Sequence, residues 1–250
     1  MSSPNPASQG SVAGFEDEVP EYRPVSTLAV GGLLLGLLSV LAFVHPLLWL
    51  LPLAGALASG WALVRLCSAE ALQIGRKAAL VGLTLSLVLG ASAPVRWGMF
   101  RWQLRCEARL MSRQWFEALR EGDPYRAHQL TWLKSQRFPP DDDLVARYAE
   151  PAKRRDIEEY VQEPHVRALL SLGKYATVRY FENKSLDAAP EQSTVVDVYA
   201  VSVEDQGQTT SFFVRMVWVR AFDHGGQDWQ WRLSHSDFMH EFPPGWNPPA

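Results

Sequence analysis

The chain has 250 residues, 24 Lys and Arg against 27 Asp and Glu, and 47% hydrophobic residues, and its mean hydropathy of −0.11 would suit an ordinary soluble protein. The distribution excludes that reading, because residues 24 to 64 and again 78 to 95 carry no formal charge. Divided at residue 95 the charges are +4 and −5 before, +20 and −22 after, so neither part has the concentrated positive face that binding to nucleic acid requires.

Residues 1 to 24 are rich in Ser, Pro, Gly and acids, with Arg23 the only base, a composition that buries too little apolar surface to fold and is read as a disordered acidic tail. It lacks the basic start of a secretory signal. The uncharged run that follows would stretch to ~60 Å as a single helix, about twice the hydrocarbon thickness of a bilayer. His45-Pro46 divides it, since proline removes a backbone donor and turns its predecessor away from the helical region. Two spans result, 26 to 44 and 47 to 64, and 78 to 95 makes a third, with Arg96 and Trp97 as interface anchors. Small residues at four-residue spacing, Gly32 with Gly36, Ala56 with Gly60, and Gly82 with Ser86 and Gly90, allow the helices to approach closely in lipid.

The runs LAVGGLLLGLLSVLAF, LPLAGALASGWALVRL and GRKAALVGLTLSLVLG, with Gly75-Arg76, Ala78 and Gly82 at matching positions, resemble a small bacterial three-helix membrane domain of unknown function. The resemblance covers about residues 26 to 95 and implies anchoring of an attached domain. The lipid bilayer is thus the first expected partner.

From 96 to 122 a further helix is expected, with Leu104, Ala108, Met111, Trp115, Ala118 and Leu119 forming an apolar stripe. Gly122 ends it, and Asp123-Pro124 supplies the N-cap and first residue of a helix to about 132. Short helices punctuated by Pro151 and Pro164 fill 142 to 172, and Gly173 stops them. Cys67 and Cys106 lie on opposite sides of the third span, beyond disulfide reach, and neither has a neighbour that makes a metal site.

After Gly173 the period changes to alternation. Strands are expected at 175 to 182, 194 to 204, 209 to 223 and 228 to 238, joined by turns at 205 to 208 and 224 to 227 into an antiparallel meander. The tail 241 to 250 is too rich in proline to extend the sheet. Helices first and an antiparallel sheet after is an α+β domain over 96 to 240. The run WFEALREGDPYRAHQLT, followed by four strands, resembles the opening of nuclear-transport-factor-2-like domains, the cone-shaped α+β family. That resemblance spans about 103 to 238 and implies either a binding cone or an isomerase or dehydratase with acids inside it, so the fold leaves function open.

Candidate pocket residues follow from strand parity. His235 and Asp237 share parity with Trp231, and Asp197 with Tyr199, so an acid or imidazole is a candidate general base on the covered face. Tyr180 and Tyr199 match by residue type the tyrosine that the resemblance implies for isomerases, and Trp218 and Trp231, with Trp229, are candidates for an aromatic lining whose competing reading is core packing. No phosphate loop, nucleophile elbow, zinc-protease helix or dinucleotide fingerprint occurs, so no catalytic residue is assigned and no cofactor or metal is expected. The expected function is a membrane-anchored binding or assembly module of a bacterial envelope, presenting its cone to a small ligand, a peptide, a protein partner or a copy of itself. The alternative is a membrane-bound isomerase or lyase. By raw count the five arginines Arg96, Arg101, Arg105, Arg109 and Arg113 against Arg23, Arg65, Arg76 and Lys77 favour a cytoplasmic C-terminal domain, but the positive-inside rule is read best from short loops, and the one charged short loop, 65 to 77, with Arg65, Arg76 and Lys77, favours that loop and residues 1 to 24 in the cytoplasm and the C-terminal domain outside.

Overall fold

The protein is described from a computed structural model, which covers residues 26–67, 75–139, 143–189, 191–205, 208–225 and 227–239. The expected acidic tail, most of the 65 to 77 loop, the proline-rich tail and the centre of the 205 to 208 turn lie outside these residues. The chain divides into two compact units at Arg96/Trp97.

In the first unit α1 (Thr27–Leu38) runs into a 3-10 turn, Ser39–Phe43, and a second 3-10 turn, Pro46–Trp49, opens α2 (Leu50–Leu66). The break falls where the sequence puts it: His45 is extended at φ −150° and its Nδ1 accepts from the Leu47 N–H, while Pro46 occupies the first helical position. Two helical segments are long and apolar enough to cross a membrane, Pro46–Leu66 and Arg76–Arg120, and Thr27–Phe43 is a shorter apolar one. The small residues do meet. A Cβ on Gly36 would stand 2.8 Å from the Gly82 carbonyl oxygen, and one on Gly55 would stand 2.5 Å from Ser86 Oγ. The buried face of α2 is Pro52, Gly55, Ser59 and Ala62, however, so Gly60 of the expected Ala56/Gly60 pair has nothing within 4 Å of its Cβ position. The spacing fits both faces of α2, and only packing against α1 selects one.

The third apolar stretch and the helix expected after it form one helix, α3 (Arg76–Arg120), which passes through Pro94 without ending. Proline costs a helix one hydrogen bond, and nothing downstream supplies a stop until Gly122, which takes the left-handed φ of +78°. Asp123 caps α4 (Pro124–Gln129) by accepting the Arg126 N–H at 2.9 Å. Then come α5 (Leu144–Arg147), α6 (Pro151–Gln162) and α7 (Pro164–Leu172), the last two opened by proline and the last ended by Gly173 at φ +52°.

Four strands follow, β1 (Thr177–Ala188), β2 (Gln192–Asp205), β3 (Gln208–Asp223) and β4 (Asp228–Phe238), paired antiparallel in sequence order. The second unit is therefore α+β. β1 runs six residues beyond its expected end because two bulges, at Phe181 and Lys184, let it follow β2 after its own alternation fails. The core lies between one face of the sheet and the helices: Leu104, Ala108, Trp115, Ala118 and Leu119 of α3, the expected stripe, meet Val195, Tyr199, Val214, Met216, Trp218, Trp231 and Leu233. Three indole and phenol bonds fix this packing. Trp115 donates to Tyr160 Oη of α6 at 2.7 Å, Trp218 to Ser112 Oγ at 2.6 Å, and Trp231 to Glu107 Oε2 at 2.8 Å.

Candidate functional site

The six candidate residues are not gathered into one pocket. Trp218 and Trp231 are buried in the core with their N–H groups spent on α3, which leaves them as packing, not lining. His235 and Asp237 face away from Trp231, because β4 carries an extra residue, Ser234, where Val217 pairs with His235 and Trp218 with Leu233. Such a bulge reverses every side chain beyond it, so Ser236 turns inward in their place. Tyr180 and Tyr199 are brought together, paired across β1 and β2 with ring centroids 5.8 Å apart.

Around these tyrosines lies a polar cluster under α3. Asp197, in the alternation Val195, Asp197, Tyr199, Val201, is fully buried on the central strand β2. Asn183, at the second bulge of β1, donates to Asp197 Oδ1 at 2.9 Å, to the Val196 carbonyl at 3.1 Å and to the Ser185 carbonyl at 3.2 Å, so the irregular backbone and the acid are held by one amide. From α3, one turn apart, Arg105 and Arg109 bring their charges to Asp197, and the Arg109 guanidinium carbon sits 3.8 Å from the centre of the Tyr180 ring. Burial raises the Asp197 carboxyl, against the pull of the Asn183 bond and the two arginines. Burial likewise raises the Tyr199 phenol, which is opposed by the neighbouring Ser112 hydroxyl.

Three atoms of this cluster, Asp197 Oδ2, Tyr199 Oη and Arg105 Nε, are buried without a hydrogen bond of good geometry. Most buried polar atoms in proteins are paired. The set offers one carboxyl whose charged form burial disfavours, one phenol and one guanidinium edge, groups of the kind that bind a carbonyl, hydroxyl or carboxyl group. Asp197 and Tyr199 were legible from parity. Arg105 and Arg109 could have been placed by their four-residue spacing beside the Leu104/Ala108 stripe, whereas Asn183 had no signal, because it matters only through the bulge.

A second feature surrounds His235. Glu163, Pro164, His165, His235, Ser236, Asp237 and Phe238 line a cleft of about 320 Å³. His165 Nε2 bonds Ser236 Oγ at 2.8 Å and lies 3.4 Å from Glu163 Oε2. Both contacts use one ring nitrogen, so the acid does not orient the imidazole from its far side as a nucleophilic triad requires. Burial pushes His165 down to about 4, with Asp237 acting upward and His235 downward, and burial raises Glu163. Asp237 is engaged by the Arg215 guanidinium through two bonds of 2.9 and 2.6 Å. A larger cavity, about 840 Å³, lies beside α4 and α5 and is lined among others by Tyr125, Arg126, Arg137 and Phe138. Among the described residues no group of three or more His, Cys, Asp or Glu is placed to hold a metal ion.

No protein-family model matches the chain, so the likeness of residues 26 to 95 to the bacterial membrane domain rests on the sequence runs alone. No curated protein matches it either. Among solved structures the chain is similar to a protein from Shewanella frigidimarina assigned as a candidate ketosteroid isomerase, at 14% identity and a TM-score of 0.31, over 52% of this chain and 91% of that one. It is also similar to a nuclear-transport-factor-2-like protein with a cystatin-like fold from Novosphingobium aromaticivorans, at 15% identity and a TM-score of 0.35, over 60% of this chain and 86% of that one. Likenesses this distant carry nothing about chemistry.

Proposed function

We propose that the chain is a membrane-anchored binding module of a bacterial envelope. Its apolar helices hold it in the bilayer, and its α+β domain, read as a nuclear-transport-factor-2-like cone exposed outside the cytoplasm, takes up a small ligand, or a polar end group of a peptide or protein partner, under α3. The observation that carries this reading is the presence beneath α3 of Asp197 Oδ2, Tyr199 Oη and Arg105 Nε, three buried polar atoms without a hydrogen bond of good geometry, with Arg105 acting electrostatically on Asp197 and Asp197 on Tyr199. Native mass spectrometry of the full chain released from bilayer discs tests it. The expected result is a bound species of defined mass that is lost in Tyr199→Phe and in Asp197→Asn. A wild-type chain of bare mass, or a species retained by both variants, overturns the reading.

A second reading is favoured by one observation, the raised carboxyl of Asp197 beside the Tyr199 phenol. In an isomerase of this architecture the acid would move a proton at carbon while the phenol holds the developing oxyanion. Conversion of a Δ5-3-ketosteroid to its conjugated isomer by the wild type, but not by Asp197→Asn, would move the assignment to an enzyme.

A further inference from the structure

The stretch of α3 from Arg96 to Arg105 is unlike either part of the helix beside it. Before it lie eighteen residues without charge, 78 to 95, and after it the stripe that enters the core. Within it Trp97, Met99, Phe100 and Trp102 stand 44%, 62%, 40% and 65% exposed, four large apolar side chains in two and a half turns of helix. Single exposed apolar side chains are ordinary in soluble proteins, but a contiguous group marks an interaction surface. Its charge is of one sign. From Arg96 to Cys106 the sequence holds Arg96, Arg101 and Arg105 and not one acid, with Arg105 directed toward Asp197. The guanidinium of Arg101 lies 4.6 Å from the centre of the Trp97 ring and donates one Nη2 hydrogen to the Leu186 carbonyl at 3.1 Å, and that of Arg96 lies 5.8 Å from the centre of the Phe43 ring, so each positive charge is held against an aromatic face, and a guanidinium has five N–H groups, of which the Leu186 bond uses one.

Bases layered on tryptophan directly after an uncharged helical stretch match one environment, the headgroup level of a bilayer, where the indoles take the half-polar layer and the guanidinium groups take phosphate oxygens. An acidic protein would answer the charge and leave Trp102 and Met99 in water. We infer that this band binds the phosphate groups of anionic phospholipids, and that the protein collects such lipids around α3 in preference to zwitterionic ones. The inference rests on the membrane reading above and adds to it the class of lipid. Arginine suits the role better than lysine for bidentate phosphate contact, but the preference itself follows from charge, so lysine at the same places should retain most of it.

The test uses the full chain reconstituted in phosphatidylcholine bilayers with a trace of spin-labelled phosphatidylglycerol or spin-labelled phosphatidylcholine, comparing the fraction of each probe that the protein immobilises. The expected result is a preference for phosphatidylglycerol of roughly five-fold for each arginine in contact, weakened by molar salt. It should fall in Arg96→Gln/Arg101→Gln and return in Arg96→Lys/Arg101→Lys. Inorganic phosphate at millimolar concentration should leave it unchanged, because a lipid phosphate is presented in the plane of the band and a free ion is not. Equal immobilisation of the two probes by the wild type, a preference that the double glutamine variant keeps, or one that inorganic phosphate abolishes would each overturn the inference. So would displacement of the labelled lipid by an acidic peptide at low concentration, which would make the arginines a protein-binding surface. A chain that fails to float with vesicles at all overturns the membrane reading as well, whereas a chain that floats and immobilises both probes equally overturns the lipid preference alone.

Discussion

His165 of α7 is nearly enclosed against β4, in contact with Ser236 and Glu163 and within electrostatic reach of His235 and Asp237. A histidine whose folded value is lowered is protonated preferentially in the unfolded chain, so its effect on stability is absent above its ordinary value of 6.5 and grows as pH falls toward about 4. Glu163, which burial raises, acts in the opposite sense, so the contribution of His165 is visible only by difference. His165→Gln should therefore remove roughly 3 kcal/mol of the stability lost between neutral pH and pH 4, at about 1.4 kcal/mol per unit. Denaturant unfolding of wild type and variant across that range measures it, and parallel pH profiles would refute it. Trp218 makes a simpler case. Its indole donates to Ser112 Oγ inside the core, and Trp218→Phe leaves that oxygen short of a donor and a gap where the second ring stood. A loss of about 2–4 kcal/mol is expected, read from the denaturant midpoint at unchanged slope.

At the scale of elements, the helices of the first unit meet through glycine, and that contact discriminates between two positions that look alike in sequence. Gly36→Leu puts a side chain against the backbone of Gly82 and must push α1 and α3 apart, whereas Gly60→Leu enters open space. The first should lower the thermal midpoint of the detergent-solubilised protein by several degrees and the second should leave it within error, since lipid-facing leucine costs nothing in an apolar surrounding. Equal effects would mean that the small residues serve only as helix composition. The sheet has its own version of the same rule. Bulges in β1 and β4 decide which residues face α3, so Asn183 reaches Asp197 while His235 and Asp237 are turned outward, although a strict alternation puts the last two inside.

For the whole molecule, the proposed membrane anchoring makes the side that holds the α+β domain a measurable property, and the chain carries its own probes. Cys67 and Cys106 are both free and exposed, one ending α2 and the other within α3 beyond the uncharged stretch. With the domain outside, a membrane-impermeant maleimide applied to intact spheroplasts should label Cys106 and reach Cys67 only after lysis. The reverse pattern would place the domain in the cytoplasm, and labelling of both before lysis would mean that α3 does not cross. Carbonate extraction of the same membranes should leave the protein in the pellet.

What the sequence determined by itself is the local punctuation and the class of each region. His45-Pro46, Asp123-Pro124, Pro151, Pro164 and Gly173 end or begin elements where backbone chemistry requires, because capping and the missing proline N–H act within a few residues. The change from a helical to an alternating period gave an α+β domain, and the uncharged runs gave helices suited to lipid. Tertiary structure decided everything that depends on which surface an element turns to its neighbour. It joined the third apolar stretch to the helix after it through Pro94, chose Gly55 and Ser59 over Gly60 as the packed face of α2, and inserted the bulges that no propensity announces. The candidate site shows the division most clearly. Parity alone put Asp197 and Tyr199 inside, but their meeting with Asn183 and Arg105 joins residues about 15 to 90 positions apart, and such a meeting exists only once burial has been shared among helix and strands.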